Sequence, residues 1–330
     1  MPTVIQTVHQ SAPEEFLPSG PENNAFYKAY ARAGVPNFQL GFIEIKTTDQ
    51  LRTIAPFFIT KLTMGAMLPT GFLQNIANKF SIKIAFVGHP STDFSHIEGG
   101  LITNHLEVMN EELYKYANLI CYKGFMNELS LDNFLKVKGL PIPILKVSPD
   151  FWQELSHKKR TDLKRKLKAS QTLKCSIVDG LQSEYVNQVH QLYEQTRLRS
   201  KIQFEELNIQ YFIETGSMSK YILFFESDEL IGFHQLMIQG ETMICKYLGM
   251  NYEKSNKYKL YFALLIKSID VCIEEKIHFI DFGVTSYTFK KYLGSEQTET
   301  FNYFQHKNKM INLFMQFFSF ALEPDPKELI

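Results

Sequence analysis

The feature that most restricts this chain is an order of elements that occurs twice. A strand closing in AFVG, a loop, the helix LITNHLEVMNEELYKYA and the strand NLICYKG stand in the first half. A strand containing KYLG, a loop, the helix LYFALLIKSIDVCIEE and the strand HFIDFG stand in the second. The match is one of pattern rather than identity, and it implies two copies of one supersecondary frame in which a helix crosses over between strands. A chain of 330 residues is about twice a common domain length, in keeping with two units.

Residues 1–36 are polar and rich in Pro, Gly and Asn, and read as a loosely structured lead-in with one short helix from Asn23 to Ala33. Residues 37–149 form the first unit. Its predicted strands are Phe38 to Lys46, Leu51 to Leu62, Phe80 to Val87 and Asn118 to Lys123, and its helix runs from Leu101 to Tyr116. Pro56 inside the second strand predicts an edge or a bulge there. Pro141, Pro143 and Pro149 mark an extended connector, with the boundary near Pro149. Residues 150–330 form the second unit. A basic helix, Asp150 to Ser170, opens it, and helices follow at Ser183 to Arg199 and Ile209 to Thr215. Strands are expected at Tyr221 to Glu226, Leu230 to Ile238 and Thr242 to Met250, joined by SDE and QGE turns. A basic loop, a helix from Leu260, a buried strand Ile277 to Val284, a short helix Ser286 to Leu293 and a strand Glu299 to His306 complete the frame. Met310 to Leu322 is apolar but only thirteen residues long, too short to span a bilayer, and is expected to pack on the core, with a lipid or partner contact as the alternative.

Composition excludes more than it selects. Apolar residues are 45% and charged residues 21%, ordinary values for a chain with a large core, and the formal net charge is zero. Any nucleic-acid or membrane contact must therefore come from a local patch. Cys121, Cys175, Cys245 and Cys272 are scattered without metal-like spacing and are expected to be buried thiols in a reducing compartment. With neither a secretory leader pattern at Met1 nor an apolar run of about 18 residues, the expected location is cytoplasmic. No Walker loop, GxGxxG after a strand, HExxH or GxSxG occurs, and the nine histidines do not suggest a metal site.

Three antiparallel strands, an anion-facing loop, a helix, a strand, a short helix and a last strand resemble the GNAT acyltransferase layout. Leu260-Tyr261-Phe262, Asp281-Phe282-Gly283 and the run Tyr287-Thr288-Phe289-Lys290-Lys291-Tyr292-Leu293-Gly294 are similar to the Fem-type aminoacyl ligases and their tandem-GNAT relatives. The basic helix, and the loop Gly88 to Asp93 followed by Phe94, are similar to counterparts in that family. The resemblance implies an α/β (α+β) fold of two tandem GNAT-like units, each a mixed, mostly antiparallel sheet flanked by helices, with the active site in the second. One departure stands out: the turn that cradles the CoA pyrophosphate is glycine-rich in GNAT enzymes, and its equivalent here, NYEKSNKYK, has no glycine.

Acyl transfer to an amine requires a proton acceptor and donors for the developing oxyanion. Lys290, His234, Asp281 and Tyr287 are the catalytic candidates. Each has a plain alternative: a solvated lysine, a hydrogen-bonded core histidine, a carboxylate tied to a neighbouring loop, a packed tyrosine. Lys254, Lys257 and Lys259, with Leu248 and Gly249 before them, are candidates for holding a cofactor phosphate, and an ordinary solvated loop is the alternative. Lys246, Tyr247, Ser286 and Lys291 are candidate substrate contacts. The expected activity is N-acyl transfer from acyl-CoA or another acyl thioester, including an acyl-carrier protein, to an amine of a small metabolite or peptide. The basic run Lys158 to Lys168 motivates aminoacyl transfer from tRNA as an alternative. The missing glycines leave a catalytically idle GNAT-fold binding module as a third.

Overall fold

The computed structural model describes residues 4–48, 51–63, 79–101, 103–200 and 203–317, together with 319 and 323. Its described strands form two seven-stranded, mostly antiparallel sheets. The first contains β1 (Val4–His9), β2 (Gln39–Thr47), β3 (Arg52–Thr63), β4 (Ser81–Val87), β5 (Leu119–Phe125) and β6 (Leu135–Lys138). The second contains β8 (Lys174–Asp179), β9 (Lys220–Glu226), β10 (Glu229–Gln239), β11 (Thr242–Met250), β12 (Phe279–Asp281) and β13 (Glu296–Thr298). Two strands are exchanged. The strand β7 (Ile142–Lys146) inserts between β12 and β13, and β14 (Phe301–His306) inserts between β5 and β6. The spatial orders β1-β2-β3-β4-β5-β14-β6 and β8-β9-β10-β11-β12-β7-β13 then correspond strand for strand. Among the described strands the only parallel pair in each sheet is the crossover pair, β4 with β5 and β11 with β12.

The helices follow from apolar spacing and caps. Helix α1 (Asn24–Ala33) starts at Asn23, whose side chain accepts from the amides of Ala25 and Phe26, and stops at Gly34 in the left-handed region. It buries Phe26, Tyr27 and Tyr30. These pack with Phe16 in the same core cluster as Phe42 and the helices α5 (Val186–Arg197) and α6 (Ile209–Gly216). The loosely structured lead-in is thus corrected: its aromatic residues, sparse in sequence, converge on one core, and Val4–His9 adds an outer strand to β2. Helix α2 (Thr103–Leu113) makes the first crossover. The basic segment divides into α3 (Phe151–Glu154) and α4 (His157–Lys168), because Ser156 caps the second helix by accepting from the Lys159 amide.

Two further expectations change. Pro56 lies inside β3, which is flanked by β2 and β4, rather than at an edge. Its missing N–H falls where the β4 ladder ends, and the Gly88 amide donates to the Pro56 carbonyl at 2.8 Å. The presumed basic loop after Asn251 is a helix, α7 (Tyr252–Tyr258), since Asn251 Oδ1 accepts from the amides of Glu253 and Lys254. Lys259, left-handed at φ 53°, hinges α7 onto α8 (Leu260–Glu274). Leu260, Ala263, Leu264 and Ile266 on α8 are fully buried against the second sheet. Truncating such a leucine to Ala costs ~2–5 kcal/mol. After β12 comes α9 (Tyr287–Leu293), closed by Gly294 at φ 111°.

All four cysteines are free; Cys121, Cys245 and Cys272 are buried, but Cys175 is exposed on the outer strand β8, contrary to expectation. Within 310–322, the described helix α10 (Lys309–Phe317) has no fully buried residue; Met315 packs against a core cluster as expected, but Met310, Leu313, Phe314 and Phe317 are exposed, and 318 and 320–322 lie outside the described residues. Among the described residues no helix is long and apolar enough to cross a membrane.

Candidate functional site

Strand β12 pairs with β11 over three residues only, Thr242 to Ile244 against Phe279 to Asp281. Beyond them the parallel strands part, and a cavity of about 620 Å³ opens in the fork. A bulge shapes its β11 wall: His234 faces Leu248 and Leu236 faces Cys245, so Gln235 alone opposes both Lys246 and Tyr247. An extra residue leaves the ladder and re-aims its side chain. In consequence Cys245, Lys246, Tyr247 and Leu248 all line the cavity. The opposite wall is the turn Phe282 to Ser286, and the loop Pro90 to Asp93 closes the cavity from the first sheet's side.

The turn is conformationally costly. Gly283, Thr285 and Ser286 have φ of 68°, 81° and 50°. Three groups pin it. The Gly283 amide donates to Asp281 Oδ1 at 2.7 Å, and the Val284 amide to Asp93 Oδ2 at 3.3 Å. Lys290 Nζ, buried, donates to the carbonyls of Gly283, Val284 and Thr285 at 2.7, 3.3 and 2.7 Å. An ammonium has three protons, so this lysine is saturated by backbone. Its burial lowers its pKa to about 8.

Burial also pushes the Asp281 carboxyl up to about 8, and the neighbouring charge of Asp93 adds to the effect. Four carboxyl groups line this space, Glu22, Asp93, Glu205 and Asp281. Glu22 is raised by burial and receives a hydrogen bond from Lys246 Nζ at 2.6 Å; Lys246 also reaches the Ser91 carbonyl. Glu205 accepts from the Tyr30 and Tyr247 hydroxyls at 2.9 and 2.6 Å.

His234 is fixed by Ser268, 2.8 Å from its Nδ1. Ser268 Oγ donates to the Leu264 carbonyl, so Nδ1 carries the proton and Nε2 keeps a lone pair. Burial depresses this imidazole to about 3, so it stays neutral and is a poor proton acceptor near pH 7. Tyr261, in the first turn of α8, lines the cavity with a buried hydroxyl whose neighbouring polar side chain is Ser286. Burial raises it to about 12, so it is protonated.

Of the sequence-derived candidates, the fork brings together His234, Asp281, Lys290, Lys246, Tyr247, Leu248 and Ser286. Others lie elsewhere. Tyr287 is fully buried and its hydroxyl donates to the Pro141 carbonyl at 2.8 Å. Lys254 pairs with Glu226 and Glu229, Lys257 pairs with Glu226, and neither they, Lys259 nor the exposed Lys291 lines the cavity. Gly249 serves packing: a Cβ there would come within 2.7 Å of the Leu192 carbonyl carbon and the Tyr193 amide on α5. Sequence reasoning missed Glu22, Glu205, Tyr261 and the role of Asp93. An acid in a Gly/Pro-bounded loop was the one available signal for Asp93; Glu22 and Glu205 arrive through tertiary packing alone. No cluster of His, Cys, Asp and Glu able to hold a metal occurs among the described residues.

Residues 157–291 match the family model described as an acetyltransferase (GNAT) domain. No curated protein sequence matches the chain. Among solved structures, L-PGS from Bacillus licheniformis is similar at a TM-score of 0.54 and 12% identity, covering 90% of this chain and 92% of that one. A tandem GNAT protein from the clavulanic acid biosynthesis pathway gives 0.54 at 10% identity, over 93% and 99% of the two chains. FemX gives 0.52 at 11% identity, over 87% and 93%. Identities this low speak to fold, and on that ground, with the domain match in its second half, the chain has a tandem GNAT fold of the Fem-like type.

Proposed function

We propose that the chain is an N-acyltransferase that moves an acyl or aminoacyl group from an activated ester or thioester to an amine in the β11/β12 fork. The observation that carries this reading is the carboxylate pair Asp93 and Asp281, which holds two successive amides of one strained turn, with Asp281 raised toward neutral pH. A general base must be ionised in some of the molecules and must hold the proton it takes; Asp281, raised to about 8, has an ionised fraction at pH 7 that grows toward pH 8, whereas His234, depressed to about 3, does not hold a proton there. The acidic lining favours an incoming ammonium. Asp281, in its ionised form, takes one proton from the ammonium and passes it to solvent, and the freed nitrogen attacks the acyl carbon. After attack the nitrogen gives its second proton to Asp281, and as the tetrahedral species collapses to the amide Tyr261 donates a proton to the departing oxygen or sulfur and regains that second one from Asp281 by way of solvent. Lys290 positions the turn rather than touching substrate.

Between donors, one observation favours an aminoacyl ester of tRNA over acyl-CoA. The connection from β11 to α8 is the glycine-free helix α7, and its lysines are engaged by Glu226 and Glu229. The residues expected to grip a pyrophosphate therefore do not fit that task. Meanwhile Lys158, Lys164, Arg165 and Lys168 on α4 are exposed. Product formation from a panel of amines, followed by mass spectrometry with acetyl-CoA or charged tRNA as donor, tests the proposal. Amide formation with charged tRNA, lost in Asp281→Asn and reduced about 10- to 100-fold in kcat in Tyr261→Phe, is expected. Transfer from acetyl-CoA alone would reverse the donor assignment, and full activity of Asp281→Asn would end the mechanism.

A further inference from the structure

Helix α10 (Lys309–Phe317) is amphipathic with its faces reversed. Its inward side is set by Asn312, which accepts from the His306 amide at 3.2 Å and donates to the Asn133 carbonyl at 2.8 Å, and by Met315, which packs against the cluster around Phe304. Outward it presents Met310, Leu313 and Phe317, at 75%, 51% and 73% exposure, with Ile311 and Phe314 also exposed. Positions 310, 313, 314 and 317 recur at helical spacing and form one continuous stripe. An exposed apolar patch of this size marks a surface that something covers.

Charge selects the occupant. From Thr300 to Leu322 the sequence has no Asp or Glu, while Lys307 and Lys309 stand exposed at the start of the helix. A lysine in the first turn opposes the helix dipole, so Lys309 is there at some cost to the helix itself. A second copy docked stripe to stripe would bring no Asp or Glu of this stretch to either lysine pair. Lipid phosphates would instead neutralise them while acyl chains take up the stripe. We propose that α10 is an interfacial anchor that seats the protein on an anionic lipid surface, with Leu313 and Phe317 inserted and Lys307 and Lys309 at headgroup level. This stands independently of the acyl-transfer reading.

Sedimentation of the full chain with vesicles of phosphatidylglycerol and phosphatidylcholine in equal parts, against pure phosphatidylcholine, tests the proposal at 0.1 M salt. Binding to the anionic vesicles is expected to be at least tenfold stronger. Leu313→Ser with Phe317→Ser should weaken it about 100-fold, and Lys307→Glu with Lys309→Glu about tenfold or more on anionic vesicles only. Because all four side chains are exposed, thermal midpoints should stay unchanged, which separates lost binding from lost fold. Equal binding by the serine variant, or no binding by the unaltered protein, would overturn the proposal. So would a dimer in light scattering that the serine variant dissociates, since that assigns the stripe to a second copy.

Discussion

Replacing Asp281 by Asn should make the protein more stable while abolishing transfer, and the gain should depend on pH. The side chain is nearly isosteric, and its Oδ1 can still accept from the Gly283 amide 2.7 Å away. What the change removes is a buried charge near Asp93. The folded carboxyl is raised to about 8 from an ordinary value of 3.8, so between these limits the native state holds a proton that the unfolded chain has released. Stability then falls as pH rises through this window, and the full penalty is present above pH 8. About four pH units correspond to an upper limit of roughly 5–6 kcal/mol; relaxation and water entry reduce that to about 2–3 kcal/mol. For a chain of this size the expected rise in thermal midpoint is roughly 3–4 °C at pH 8.5, shrinking to nothing near pH 4. Scanning fluorimetry of both proteins across pH 4 to 9 provides the comparison. An equal shift at pH 4 and pH 8.5, or no shift at pH 8.5, would show that Asp281 is not a strained carboxylate, and the proton-acceptor role would fall with it.

Other consequences follow from the same geometry. Lys290→Met removes three charge-assisted hydrogen bonds from a strained turn and should cost about 2–4 kcal/mol in denaturant unfolding at pH 7. Because the folded pKa is lowered to about 8, the unaltered protein should gain stability from pH 8 to 10.5, and the variant should not. Gly249→Ala places a Cβ 2.3 Å from Phe233 Cε1 and against the α5 backbone, so a loss of about 3 kcal/mol or more is expected; a neutral result would mean that α5 moves freely. Residues 1–149 and 150–330, expressed apart, should each be insoluble and should recover when co-expressed, since each lacks its sixth strand; a cooperatively folding single half would contradict that.

What was legible in the sequence is what local periodicity encodes. The hairpin β9–β10–β11, the helix α8 and the short helix α9 carry strong apolar spacing, and they stand where that spacing puts them. Local hydrogen bonding misled in one place. Asn251 caps α7, yet NYEKSNKYK lacks apolar periodicity, so its charged side chains suggested a loop with free lysines when they are ion-paired to the β9–β10 hairpin. Tyr287 and Lys290 were drawn from one motif, and burial divides them: the first faces the connector at Pro141, the second the site turn. Glu22 and Glu205 had no signal, because a carboxylate's neighbours from distant chain segments leave no trace in its own surroundings.

The strand exchange explains why a duplicated fold, rather than one unit, builds this site. Asp281 ends β12, and β12 is backed by β7, a strand that precedes the second unit in sequence. The loop bearing Asp93 rests on β5, where the Ser95 amide donates to the Gly124 carbonyl at 2.8 Å and Lys123 reaches the carbonyls of His89 and Thr92. Strand β5 is backed in turn by β14, near the end of the described chain, and Asn302 on β14 accepts from the Gly124 amide at 2.8 Å. Each carboxylate thus stands on a platform completed by a strand from the other half. The spacing between Asp93 and Asp281 is accordingly fixed by two sheets that cannot separate without breaking both ladders, which is how two like charges can be held on adjacent amides of one turn. A single unit could supply the fork, but the second acid would then have to come from a mobile loop, and the burial and repulsion that together raise Asp281 would be relaxed by motion.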